Sequence, residues 1–152
     1  MNILIIGCGR VGSRLAMRLE QGGHAVSVID LARESFARLG GDFRGPTYQG
    51  SGADTEILKK AGISSADVVV AVTGGDNRNL MIVQLAKVQF GRERVLARLK
   101  DPVRSAKYHE MGIETLCVTT VIEGLLEHWT VKGEFPALPI EASVSGDASE
   151  LM

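Results

Sequence analysis

Three glycines, Gly7, Gly9 and Gly12, stand between an apolar run, Asn2-Ile3-Leu4-Ile5-Ile6, and a segment whose apolar positions Val11, Leu15, Ala16 and Leu19 share one helical face. That placement restricts the fold more than any other feature of the chain. A lone Gly-x-Gly-x-x-Gly is a weak signal. Set between a predicted strand and a predicted helix, with Asp30 closing the next apolar run 23 residues after Gly7, it is the fingerprint of a dinucleotide-binding βαβ unit. Each glycine has its own reason: Gly7 turns the chain, Gly9 lets backbone approach a pyrophosphate, and Gly12 lets the helix pack close to the sheet. Amides at the helix start then hold phosphates. Asp30 accepts hydrogen bonds from ribose hydroxyls and repels a 2′-phosphate, which favours NAD(H) or an adenosine di- or triphosphate over NADP(H). The competing reading is that the glycines serve turns only. Arg10 adds a cation beside the phosphates, in reach of a terminal phosphate of its own ligand or a neighbouring subunit's, unless it is a solvated loop arginine.

The rest of the chain repeats the same alternation of short apolar runs and helical patterns. Strands are expected at residues 2–6, 25–29, 47–49, 67–72, 94–99 and 115–118, and helices at 11–21, 32–39, 55–61, 76–90, 102–111 and 119–130. Glycines at 22, 23 and 62 end helices, and Pro102 opens one. About six strands with crossover helices make a doubly wound, open parallel α/β sheet of the Rossmann-like kind. It occupies residues 1–130 as one nucleotide-binding domain. From Val131 onward Gly133, Pro136, Pro139 and Gly146 break the pattern, so 131–152 reads as a linker or tail with one strand-like stretch at 140–144. A strand-like stretch so near Met152 is expected of a piece of a longer protein.

Length and charge narrow the function. The 152 residues suit one domain of ~100–150 residues, not two. Glycine is the compositional outlier, 18 of 152 or about 12% against a typical ~7%, and with four prolines the excess is turn glycine rather than linker. A net charge of −1 without a single-sign segment argues against nucleic acid as a partner. The apolar runs fall far short of the ~20 residues of a membrane span, so no direct insertion is expected, and Met1 to Ile6 lacks the basic leader of a signal peptide. A cytoplasmic chain is expected. Cys8 and Cys117 have no zinc or disulfide spacing, and Cys8 reads as a small filler rather than a redox sensor.

A second polar cluster, Thr73, Gly74, Gly75, Asp76, Asn77 and Asn79, follows the fourth strand. In an open parallel sheet the ligand lies outside the carboxyl ends of the strands where their order reverses, so these residues are expected to face a nucleotide, Asp76 or Asn77 equally serving as a helix cap. Gly50, Ser51 and Gly52 fall where an adenine edge would be. Catalytic machinery is not legible: no Tyr-x-x-x-Lys pair occurs, and His24, His109 and His128 are scattered.

Several motifs together resemble the N-terminal nucleotide-binding lobe of the regulator of potassium conductance (RCK) domain, also called KTN or TrkA-N. They are Gly-Cys-Gly-Arg-Val-Gly at 7–12, Gly-His-x-Val-x-Val-Ile-Asp at 23–30, Leu-x-x-Ala-Gly-Ile-x-x-Ala-Asp-Val-Val-Val-Ala-Val-Thr at 58–73, Asp-Asn-x-Asn-Leu at 76–80 and Ala-Arg-Leu-Lys-Asp-Pro at 97–102. The resemblance covers residues 1–130. It implies that Asp30 binds ribose, Arg10 the phosphates, and Ser51 and Gly52 flank the adenine. Where the family often has Gly-Asp after the third strand, this chain has Gly50-Ser51. The full expected site is Gly7, Gly9, Arg10, Val11, Gly12, Asp30, Leu31, Ser51, Gly52, Thr73, Gly74, Asp76, Asn79 and Arg98.

By the same resemblance the chain is expected to be a non-enzymatic regulatory subunit or domain, cytoplasmic and held at the inner face of the membrane by its partner, an integral membrane potassium channel or transporter. It would bind NAD(H) or ATP/ADP and act through rearrangement of a homodimer or a larger ring. Residues 80–88, apolar on more than one face, and the stripe Val121, Ile122, Leu125, Leu126 and Trp129 fit either a subunit interface or packing within the chain. The alternative is a small NAD-dependent oxidoreductase that lacks or borrows its substrate lobe.

Overall fold

The computed structural model describes residues 1–138. The strand-like stretch at 140–144 lies outside them. The chain forms two compact units, Met1–Val118 and a second beginning at Thr119.

The first unit holds six parallel strands, β1 (Asn2–Ile6), β2 (Ala25–Asp30), β3 (Thr47–Gln49), β4 (Val68–Ala71), β5 (Val95–Leu99) and β6 (Glu114–Cys117). Four helices join them: α1 (Arg10–Gln21), α2 (Thr55–Lys60), α3 (Asp76–Val88) and α4 (Pro102–Glu110). The strand order is β3-β2-β1-β4-β5-β6. Every pairing is parallel, with Ile5 opposite Val28 on one side and Val70 on the other. The chain therefore leaves β1 in one direction for β2 and β3, then returns to add β4, β5 and β6, which is the doubly wound, Rossmann-like arrangement expected. The reversal falls between β1 and β4. From Thr119 the second unit carries α5 (Val118–Lys132), and the ring of its Trp129 lies 6.4 Å from that of Phe135, beyond the helix end.

Alternation along the central strands explains the two-sided core. Leu4, Ile6, Val69, Ala71, Ala97 and Leu99 belong to one buried cluster, beneath Leu80, Ile82, Val83 and Ala86 of α3. Ile3, Ile5, Val26, Val28, Val70 and Val72 belong to the other, with Ala16 of α1 and Leu39. A strand buried on both faces must be apolar at every position, which the runs Ile3-Leu4-Ile5-Ile6 and Val68-Val69-Val70-Ala71 supply. Each fully buried Ile, Leu or Val contributes roughly 1.5–3 kcal/mol relative to exposure.

Three expectations change. The helix at 32–39 is a 3-10 turn, Arg33–Leu39, ended by Gly40 at φ 69°. Its N-cap, Ala32, offers no side-chain bond, whereas the six-residue α2 is capped by the Asp54 carboxylate on the Glu56 amide, and here the Ser35 amide bonds the Ala32 carbonyl three residues back. A further 3-10 turn, Ile63–Ser65, separates α2 from β4. Val11, placed on the buried stripe of α1, is 50% exposed; burial on α1 starts with Gly12 and Ser13.

Candidate functional site

The loop from β1 into α1 is held by its glycines and by Asp30. Gly7 sits at φ 109°, and a Cβ there would press on the Thr73 amide nitrogen and the Val72 carbonyl carbon, just past the end of β4. A Cβ on Gly12 would overlap the Gly7 carbonyl oxygen, so α1 meets the end of β1 at a distance only glycine allows. At Gly9 the space is open. Asp30, the last residue of β2, accepts the Cys8 amide on Oδ2 at 2.7 Å and the Ala32 amide on Oδ1 at 2.8 Å. The carboxylate thus fastens the glycine loop to the end of β2. Each oxygen keeps a second lone pair for a ligand.

α1 starts without a side-chain cap, its N-cap residue being Gly9. Its first turn, Arg10-Val11-Gly12-Ser13, holds no acidic residue. Uncapped amides at the positive end of a helix are an anion-binding arrangement. Gly9, which leads into them, lines a cleft of about 220 Å³ at the carboxyl ends of β1, β2 and β4, together with Gly7, Asp30, Leu31, Gly50, Gly52, Thr73 and Gly74. A larger hollow of about 330 Å³ opens among Asn2, His24, Ala25, Arg44 and Ser65 at the amino ends of the strands. Ligands of open α/β sheets bind at the carboxyl ends beside the order reversal, so the smaller cleft is the candidate.

Seven expected site residues therefore share the cleft: Gly7, Gly9, Asp30, Leu31, Gly52, Thr73 and Gly74. The other seven lie elsewhere. Arg10 and Val11 are exposed on the first turn of α1, and Gly12 is packed against Gly7. The Ser51 hydroxyl accepts the Ala53 amide within its own turn. Asn79 is 1% exposed and wholly engaged. Its Oδ1 accepts the Thr73 amide at 2.9 Å and the Thr73 hydroxyl at 2.6 Å, while its Nδ2 donates to the carbonyls of Thr73 at 3.0 Å and Arg98 at 2.8 Å. Asn79 shapes the loop after β4 and takes hold of β5 through the Arg98 backbone. The Asp76 carboxylate accepts the amides of Lys100 and Asp101, and Lys100 Nζ donates to the Gly74 carbonyl at 2.8 Å. The loop is thus secured from both ends.

Ser35, Arg38 and Arg78 also line the cleft and were not anticipated. Arg78 was in principle findable, because the first turn of a helix leaving a central strand borders the ligand crevice. Arg38 carries no such signal, since the 3-10 geometry brings it in. Behind the loop, burial pushes the Cys8 thiol from 9.0 up to about 11, the Asp30 charge adding to the rise and Arg38 opposing it. Its Sγ donates to the Ser35 carbonyl at 3.4 Å. The described residues contain no metal-binding group of His, Cys, Asp and Glu.

A parallel sheet wound in both directions, with a glycine-lined cleft at its reversal point, places the protein among Rossmann-like domains. Within that class the chain belongs to the TrkA-N domain family, which it matches over residues 3–119. It is 48% identical over 116 residues to the Trk system potassium uptake protein TrkA of Streptomyces coelicolor, a match covering 76% of this chain and 52% of that protein. It is 32% identical over 111 residues to a TrkA homolog of Pyrococcus abyssi, covering 73% and 49%. The chain spans about half the length of these curated relatives. Among solved structures, the fold is shared with the AMP-bound Kef C-terminal domain of Shewanella denitrificans (TM-score 0.71, 22% identity, 88% of this chain and 83% of that one). It is also shared with the GsuK channel bound to NAD (TM-score 0.67, 20% identity, 80% and 22%).

Proposed function

We propose that the protein is the nucleotide-sensing part of a potassium uptake system, binding NAD(H) or ATP/ADP in the cleft and regulating an integral membrane potassium transporter or channel without chemistry of its own. The observation that carries this reading is the presence in one cleft of Gly9, the N-cap residue that leaves α1 without a side-chain cap, and the Asp30 carboxylate. The first suits phosphates and the second suits ribose hydroxyls. Three named likenesses support it: a TrkA protein of potassium uptake, a Kef domain with AMP and a GsuK channel with NAD. No helix of the described residues is long and apolar enough to cross a membrane.

Regulation without catalysis requires two arrangements of the protein that bind the nucleotide unequally, because only a difference in affinity shifts their populations. A homodimer, in which the two clefts move relative to each other, supplies such arrangements. Calorimetric titration of NAD, NADH, ATP, ADP and NADPH tests the reading: micromolar binding of one or more is expected, with NADPH excluded by Asp30. Absence of binding by all five overturns it. Steady oxidation of NADH against a panel of carbonyl compounds establishes the oxidoreductase instead.

A further inference from the structure

The two walls of the cleft each bear an arginine, and they differ in what each can reach. Arg38 lies on the turn after β2, on the wall shared with Asp30, Leu31 and Ser35, which is the nucleoside end. Arg78 lies in the first turn of α3, on the wall shared with Val72, Thr73 and Gly74, across the glycine loop from the ribose position. Neither guanidinium makes a hydrogen bond or ion pair among the described residues, and both are exposed. Asp30 is the sole carboxylate among the lining residues of the cleft. The nearest acid to Arg78 in sequence, Asp76, already holds the amides of Lys100 and Asp101, and Asn77 accepts from Arg104. Two cations against one acid leave a cleft of net positive charge, with the surplus on the β4 side.

In a nucleotide whose first phosphate sits on the α1 amides, the next groups run toward Thr73 and Gly74. For ADP and ATP these are further phosphates, each a strong acceptor for a guanidinium fork. For NAD⁺ they are a second, bridging phosphate with one negative charge, where a terminal phosphate carries about 1.5 to 2, and then a riboside whose cationic ring opposes the guanidinium. Resting on the nucleotide reading of the cleft, we propose that Arg78 binds a phosphate beyond the one held by α1 and so selects adenosine polyphosphates over both AMP and NAD⁺.

The test is calorimetric titration of the chain and its Arg78→Gln and Arg38→Gln variants with AMP, ADP, ATP and NAD⁺, circular dichroism confirming the fold. The wild type binds ATP and ADP more tightly than AMP or NAD⁺. Arg78→Gln weakens ATP about 10- to 100-fold, the effect of one charge-assisted contact, and AMP less than about twofold. Arg38→Gln weakens all four alike. An unchanged ratio of ATP to AMP affinity in Arg78→Gln overturns the proposal, as does a wild type preferring NAD⁺ or a graded loss in Arg38→Gln. A wild type that binds none of the four overturns the nucleotide reading itself, an outcome distinct from these.

Discussion

The Asp30 carboxylate accepts one backbone amide on each oxygen, so removing it does two separable things. It frees the glycine loop from β2, and it deletes the ribose acceptors. In Asp30→Ala the nucleotide-induced rise in melting temperature is expected to vanish, while the unliganded protein loses about 1–3 kcal/mol for two charge-assisted bonds at a half-buried site. A melting shift that survives removes Asp30 from the site. Gly12→Ala acts on packing alone, since its new methyl overlaps the Gly7 carbonyl. It is expected to destabilise by about 1–3 kcal/mol or more, read as a lower urea midpoint at unchanged slope. Cys8 gives a pH prediction. Its folded pKa, about 11, lies above the ordinary 9.0, so the folded state holds its proton longer than the unfolded one. This contribution to stability is complete below pH 9 and is lost as pH rises through 11. At neutral pH the thiolate is scarce, and alkylation of native Cys8 is expected to be slow until denaturant is added. Fast labelling of the native thiol contradicts that.

Asn79 shows how much one buried amide can organise. Its four bonds join the loop after β4 to the carbonyl end of β5, and α3 delivers it there from its first turn. Asn79→Ala leaves the Thr73 amide and the Arg98 carbonyl without partners, at about 1–3 kcal/mol each. The variant is expected to show faster hydrogen exchange at Thr73 and weaker nucleotide binding through a loosened cleft wall; unchanged exchange rules out this role. The sequence showed Asn79 to belong to the site region, yet pattern alone could not distinguish a ligand contact from a clamp behind the loop. The central strands β1 and β4 were legible for a simple reason: a segment buried on both faces has to be continuously apolar, and few segments here are. Gly7 and Gly9, with Asp30, were legible because the βαβ turn imposes them. The segment 33–39 was not, since a helical pattern of seven residues does not separate 3-10 from α geometry. Ser35 and Arg38 went unseen with it, because their place in the cleft depends on that geometry.

Assembly is where the chain's remaining apolar surface matters. α3 buries Leu80, Ile82, Val83 and Ala86 against the sheet and leaves Met81 and Val88 exposed at 54% and 85%. On α5, Val121, Ile122, Leu126 and Trp129 are each about half exposed. Isolated apolar residues on a surface are ordinary, but Ile122, Leu126 and Trp129 recur at spacings of four and three, which puts them along one side of the helix. A helix with such a stripe is stabilised by covering it, and a second copy of the chain offers the same stripe in return, as a two-fold interface requires. The chain is therefore expected to sediment as a dimer at micromolar concentration. Ile122→Glu with Leu126→Glu places two charges in the stripe and is expected to yield monomers that still bind nucleotide, because the cleft belongs to Met1–Val118. If the doubly substituted chain remains dimeric, α5 is not the interface. If it becomes monomeric and loses its ligand as well, the cleft depends on the second copy, and nucleotide binding and assembly are then one equilibrium rather than two.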